Sequence, residues 1–188
     1  MSIRVGVIGA AGRMGTTVCG AEHADESREL VAAVDPTAVG RTVAEVGGPV
    51  DEVVVAADVA SFVDAGVEVA VDFTVAAASR VNLPELASHG IHAVVGTTGF
   101  GDGDLAMFRG AFTSSNCVIA ANFAISAVLL MRFAELAAPF FDTAEIIEYH
   151  HNQKIDAPSG TAVATAQRLA AASTTWASDP TEKEVYQG

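Results

Sequence analysis

With 188 residues, 51% hydrophobic and only 18% charged, the chain carries enough apolar content for a sizeable core, which excludes wholesale disorder. Against 10 Lys and Arg stand 23 Asp and Glu, a formal net charge of −13 that repels phosphate backbones and anionic lipid. Nucleic acid and membrane surfaces are therefore excluded as expected partners, and an anionic ligand must be drawn in by a local cluster of donors.

The length suits one ordinary domain, or one domain and part of a second. Abundant Ala and Val with few aromatics fit short buried strands alternating with Ala-rich helices. Cys19 and Cys117 stand far apart in apolar contexts and are expected to be buried free thiols of a cytoplasmic protein. No signal peptide is expected, since the glycine loop begins within a few residues of Met1, and the apolar stretch 123–131 is too short to span a bilayer.

In chain order, Ile3-Arg4-Val5-Gly6-Val7-Ile8 predicts a strand, Gly9 to Gly15 a turn, and residues 14–23 a helix. Residues 30–34 form the next strand, closed by Asp35-Pro36. Strand, helix and strand within about thirty residues make the crossover unit of a parallel sheet. Further strands are expected at 53–56, 67–73, 92–95 and 116–120, with helices at 76–88 and 104–112. The fold class is thus α/β, an N-terminal Rossmann-type doubly wound parallel sheet over residues 1–122. After Asn122 the rhythm changes, and residues 123–188 are expected to form a separate α+β segment. Asn122 is expected to cap a helix over 123–138 that Pro139 ends. A strand at 144–149, a polar loop and an Ala-rich helix opened by Ser159 and Thr161 follow.

Gly9-Ala10-Ala11-Gly12-Arg13-Met14-Gly15 is a G-x-x-G-x-x-G form of the dinucleotide fingerprint. Its glycines permit a tight turn, and its amides with the helix N-terminus favour a pyrophosphate. Asp35, about twenty residues past the last glycine, is placed to accept from an adenosine ribose, which leans to NADH; Arg13 and Arg41 are candidates to grip the extra phosphate of NADPH. As an alternative, Asp35-Pro36 is a plain strand-ending turn. Gly96-Thr97-Thr98-Gly99 is a second small-residue loop on the same sheet edge, where a nicotinamide would lie, or an ordinary turn.

The densest chemistry falls at Glu148-Tyr149-His150-His151-Asn152-Gln153-Lys154-Ile155-Asp156-Ala157-Pro158-Ser159-Gly160-Thr161-Ala162. Histidine exchanges protons near neutral pH, lysine supplies positive charge, and the Ser159-Gly160-Thr161 amides at a helix start can hold a carboxylate. No Cys or third His stands nearby to complete a metal site with the histidine pair, so no metal is expected. Glu148 and Asp156 are readable as solvated charges, and Pro158 to Thr161 as a simple helix cap.

The stretch H-H-x-x-K-x-D-A-P-S-G-T-A from His150 closely resembles the signature of 4-hydroxy-tetrahydrodipicolinate reductase, the dihydrodipicolinate reductase of lysine and diaminopimelate synthesis. G-A-A-G-R-M-G at Gly9, V-D-F-T at 71–74, V-V-G-T-T-G-F at 94–100 and A-N-F-A at 121–124 resemble that family too, in order and at matching spacing. Ala121 departs from it, since many relatives carry proline there. The resemblance implies that Gly9, Ala10, Ala11, Gly12, Arg13 and Met14 hold the pyrophosphate of NADH or NADPH, and Asp35 its ribose. It puts Phe73, Gly96, Thr97, Thr98, Ala120, Ala121, Asn122 and Phe123 around the nicotinamide. His150 matches the proton donor and Lys154 the lysine that assists it, while His151, Ser159, Gly160 and Thr161 match the groups that bind a small dicarboxylate. Family members continue past this point with strands that complete the substrate domain, and they assemble as homotetramers through that sheet. Residues 123–188 would then be the opening of that domain. Two other readings fit the glycine loop by itself: another Rossmann dehydrogenase acting on an amino-acid precursor, and a non-catalytic dinucleotide-binding module.

Overall fold

The structure, a computed structural model, describes residues 2–150, 152 and 157–178. It divides into two compact units, Met1–Ala121 and Asn122–Gly188.

In the first unit the order is β1 (Ile3–Ile8), α1 (Arg13–Ala24), β2 (Arg28–Val34), β3 (Val55–Ala56), α2 (Ser61–Asp64), β4 (Val69–Asp72), α3 (Ala76–Ser88), β5 (His92–Val95), α4 (Asp102–Ala111) and β6 (Cys117–Ile119). The strands form one parallel sheet in the order β3-β2-β1-β4-β5-β6. This is the Rossmann order, which reverses direction between β1 and β4 and opens a crevice at their carboxyl ends. Register sets those ends level: Ile8 pairs with Val34 and Asp72, Asp72 with Val95, and Val95 with Ile119.

Because successive strand side chains point to opposite faces, the apolar runs feed two cores. Val7, Ala33 and Val55 pack with Cys19 of α1 and with Val43 and Val50 of the β2–β3 connection. Ile8, Val34, Ala70 and Val95 pack with Phe62, Leu83, Leu86 and Phe108 of α2, α3 and α4. Gly6 is required here, because a Cβ on it would stand 2.6 Å from the Phe62 ring.

The bounds of β1, α3 and β5 agree with the sequence expectation. Strand β2 begins two residues before the expected Leu30, at Arg28, while β3, β4 and β6 are shorter than the apolar runs, because flanking residues bond outside the sheet. Val67 N–H goes to Phe62 O at 3.0 Å, and Val53 O receives Val43 N–H at 2.8 Å. Helix α4 starts at Asp102 rather than 104, since the Asp104 carboxylate reaches back to Gly101 N–H at 2.9 Å and forms the first turn. Helix α2 escaped the sequence reading because its four residues are too few for a periodic pattern. Cys19 is buried, but Cys117 is only half-buried on the edge strand β6; both are free thiols, raised to about 11 chiefly by burial.

The second unit contains α5 (Ile125–Ala137), a 3-10 turn (Ala138–Phe140) and α6 (Gly160–Ala172). Contrary to the sequence expectation, Asn122 does not cap α5; Ala124 takes that position, and Asn122 Oδ1 instead accepts Ala124 N–H at 2.8 Å in a tight turn before it. Pro139 does not end the chain's coil at once, because its fixed φ suits the first turn of the 3-10 segment. The strand expected at 144–149 is absent: no described segment offers it a ladder partner, and extended backbone without one is not a strand. Ser159 caps α6 as read from the sequence, accepting Ala162 N–H at 3.1 Å. Ile125, Leu130, Phe133, Phe140, Ile147 and Tyr149 are all exposed, and on α5 only Met131 is buried. Among the described residues no helix is long and apolar enough to cross a membrane.

Glu22, buried near the end of α1, lies 3.1 Å from Arg28 Nε, yet without hydrogen-bond alignment. Burial raises its carboxyl above the ordinary 4.5, more than the Arg28 charge lowers it. A raised carboxyl binds its proton more tightly in the folded chain, so its stabilisation is full below 4.5 and fades as pH rises through the folded value. In urea unfolding across a pH series, wild type should therefore lose stability relative to Glu22→Gln as pH climbs from 4.5 towards neutrality. A difference that stays flat with pH would contradict this.

Candidate functional site

The glycine loop leaves β1 at the sheet's reversal point. Gly9 turns the chain with φ +78°, and its N–H and that of Ala10 both go to Val34 O, at 2.8 and 3.2 Å. Gly12 N–H closes back on Gly9 O at 3.0 Å. A Cβ on Gly15 would lie 1.9 Å from Gly9 O, so α1 packs onto the loop only because that side chain is missing. Ala10 is buried in the core, whereas Arg13 and Met14 are exposed. Since the N–H groups of Gly9 and Ala10 go to Val34 O, that of Ala11 to Asp35 and that of Gly12 to Gly9 O, an anion is left with the first-turn amides of Arg13, Met14 and Gly15, which have no intrahelical carbonyl. Of these three, Arg13 and Met14 are among the residues the sequence reading named for a pyrophosphate, and Gly15 is not.

Asp35 is 8% exposed at the end of β2. Its Oδ1 accepts Thr37 N–H at 3.0 Å and the Thr37 hydroxyl at 2.6 Å; its Oδ2 accepts Ala11 N–H at 3.0 Å. Burial pushes this carboxyl up, but the three hydrogen bonds from Thr37 and Ala11 outweigh it and hold the group below its ordinary value. Asp35 is thus more than a turn residue: it ties the glycine loop to β2, and Oδ2 retains acceptor capacity for a ribose hydroxyl. The Arg41 guanidinium is committed to Glu45 O.

The next strand ends deliver Phe73, Gly96 and Ala120. Gly96 N–H bonds Asp72 O at 2.9 Å, and Ala120 N–H bonds Val95 O at 3.0 Å. Phe73 lies so close over Gly96 that a Cβ there would meet its ring at 2.0 Å. Thr97 turns inward, with its hydroxyl on Asp72 Oδ1 at 3.2 Å, whereas Thr98 is exposed. Asp72 was not singled out in the sequence, although V-D-F-T contained it. Asp-x-Thr is the same spacing that folds Asp35 onto Thr37.

In the second unit, Asn122 Nδ2 meets Thr161 Oγ1 at 3.3 Å, joining a residue expected near the nicotinamide to one expected near the substrate. Phe123 and Ala121 are exposed. Glu148, readable from sequence as a solvated charge, accepts Ser159 N–H on Oε1 at 2.9 Å, and its Oε2 lies 3.8 Å from His150 Nδ1. The chain thereby brings His150 and the α6 N-terminus, with Ser159, Gly160 and Thr161, around one carboxylate. His151, Lys154 and Asp156 lie outside the described residues. Among the described residues no cluster of three or more His, Cys, Asp or Glu could hold a metal ion.

A family model described as dihydrodipicolinate reductase, N-terminus, matches residues 3–123, and its C-terminal counterpart matches residues 126–186. A 4-hydroxy-tetrahydrodipicolinate reductase of Corynebacterium aurimucosum is 49% identical over 173 residues, covering 90% of this chain and 62% of the relative. That of Nocardia farcinica is 47% identical over 175 residues, covering 92% and 63%. The dipicolinate-bound dihydrodipicolinate reductase from Paenisporosarcina sp. TG-14 superposes with a TM-score of 0.76 at 37% identity, over 100% of this chain and 73% of that one. The chain thus spans about 62% of the length of the curated relatives it matches.

Two substitutions test the loop. Gly15→Ala should destabilise the first unit by about 1–3 kcal/mol through overpacking, read as a lower denaturation midpoint. Asp35→Ala strands Ala11 and Thr37 donors and should cost about 2 kcal/mol at neutral pH. The Asp35 carboxyl is depressed, so its stabilisation is present above the ordinary 3.8 and lost as pH falls through the folded value; the Asp35→Ala deficit should shrink in that acid range.

Proposed function

The chain belongs to the dihydrodipicolinate reductase family, and on that premise we propose that it is the greater part of an NADH- or NADPH-dependent 4-hydroxy-tetrahydrodipicolinate reductase of lysine and diaminopimelate biosynthesis. The observation that carries the reading is the carboxyl edge of the sheet. Four neighbouring strand ends present the glycine loop after β1, Asp35 after β2, Phe73 after β4 and Gly96-Thr97-Thr98 after β5.

In this reading Arg13, Met14 and Gly15 amides take the pyrophosphate and Asp35 takes a ribose hydroxyl, while Phe73, Gly96, Thr97, Thr98 and Ala120 to Phe123 border the nicotinamide. The bound dinucleotide supplies a hydride. The substrate is a small cyclic dicarboxylate, and one carboxylate is received by the Ser159, Gly160 and Thr161 amides at the start of α6, where the helix field favours negative charge. Within the second unit, Asn122 Nδ2 meets Thr161 Oγ1 beside that helix start. His150 holds the proton that the reaction consumes as a hydroxyl leaves as water, and Glu148 steadies its Nδ1 side. Lys154 and His151 add the positive charge that a dianion requires in a protein of net charge −13.

The full-length protein is proposed to act in the cytoplasm as a homotetramer without nucleic-acid or membrane partners. The acidity and the exposed apolar side chains of the second unit support this.

NADH oxidation driven by freshly formed synthase product tests the activity. His150→Gln should lower turnover roughly 100- to 10,000-fold while leaving NADH affinity intact. Tight dinucleotide binding with no turnover by the wild-type chain would instead mark a binding module.

A further inference from the structure

Asp72, at the end of β4, is 0% exposed and makes no ion pair with Lys, Arg or His among the described residues. A carboxylate without a counter-ion in that position is tolerated only when neutral donors converge on it. Oδ1 receives the Thr74 N–H at 2.9 Å, the Thr74 hydroxyl at 2.6 Å and the Thr97 hydroxyl at 3.2 Å; Oδ2 receives the Ser79 hydroxyl at 2.8 Å. The same residue's main-chain carbonyl takes the Gly96 N–H.

We propose that Asp72 is the positioning residue for the nicotinamide end of the cofactor site. Through its side chain and its carbonyl together, it locks the loop after β5 to the turn after β4. This rests on the dinucleotide reading above. The linkage is specific in space. Thr74 and Ser79 hold the carboxylate against α3, so the oxygen offered to Thr97 cannot rotate away. Gly96 is clamped at the same time between the Asp72 carbonyl and the Phe73 ring. The Thr97 backbone is thereby presented in one conformation, while its side chain, turned inward, takes no part in contacting a ligand. Asp35 performs the corresponding task for the pyrophosphate loop, with Thr37 in the place of Thr74. The two aspartates divide the site, one serving each end of the dinucleotide.

Removing Asp72 outright would take the shared acceptor from the Thr74, Thr97 and Ser79 hydroxyls, so Asp72→Ala can fail to fold. Thr97→Val is the sharper variant, because it keeps the shape and deletes only the cross-link, and Thr97→Ser restores the hydroxyl. Affinity is measured by calorimetry for NADH and for ADP-ribose, which lacks the nicotinamide. Thr97→Val should weaken NADH binding about tenfold and leave ADP-ribose binding within about twofold of wild type, with Thr97→Ser returning NADH affinity. Unchanged NADH affinity in Thr97→Val overturns the proposal, as does an equal loss for both ligands, which would mark a general structural role. If wild type binds neither ligand, the dinucleotide reading itself fails and this inference falls with it.

Discussion

Every loop that leaves the carboxyl edge of this sheet must satisfy backbone and hydroxyl donors where strand pairing stops, and two buried aspartates meet that demand. Asp35 and Asp72 end β2 and β4, and each folds onto a threonine two residues ahead with a hydroxyl contact of 2.6 Å. A carboxylate accepts hydrogen bonds and donates none, so one side chain can gather several donors from different loops. Asp35 collects Thr37 and the glycine loop's Ala11; Asp72 collects Thr74, Ser79 and Thr97. Through these two side chains the glycine loop is tied to β2 and the loop after β5 to β4.

Steric exclusion completes the arrangement. Gly15 lets α1 sit against Gly9 O, and Gly96 lets the Phe73 ring lie close against the loop after β5. In both places a single methyl group would force the elements apart, so the loop backbones approach more closely than any side chain would permit. The loops follow from that closeness: first-turn amides without intrahelical carbonyls at one end, and a small-residue turn packed against Phe73 at the other.

The second unit follows a different logic. Its polar organisation is local and well made, with Ser159 capping α6, Glu148 spanning His150 and Ser159, and Asn122 reaching Thr161. Its apolar organisation is sparse, and most of the large side chains of α5 are exposed. Polar contacts of this kind need only a few residues in sequence proximity or one helix terminus. A core needs several apolar faces brought together, and α5 finds few within the described residues.

The sequence by itself determined the alternation of strand and helix, the glycine loop between β1 and α1, and the Ser159 cap, because each depends on periodicity or on a conformational property of the residues in place. It also carried the two Asp-x-Thr spacings, of which only Asp35-Pro36 was legible as a turn, but not their reach. That Asp35 holds Ala11, that Asp72 holds Thr97, and that Glu148 is a bridging group were decided only in three dimensions. Parallel pairing brings the ends of β1, β2, β4 and β5 to one level, and such proximity has no signature along the chain. The missing strand at 144–149 has the same cause. A residue pattern can make a segment fit to be a strand, but only a neighbour's ladder of hydrogen bonds makes it one.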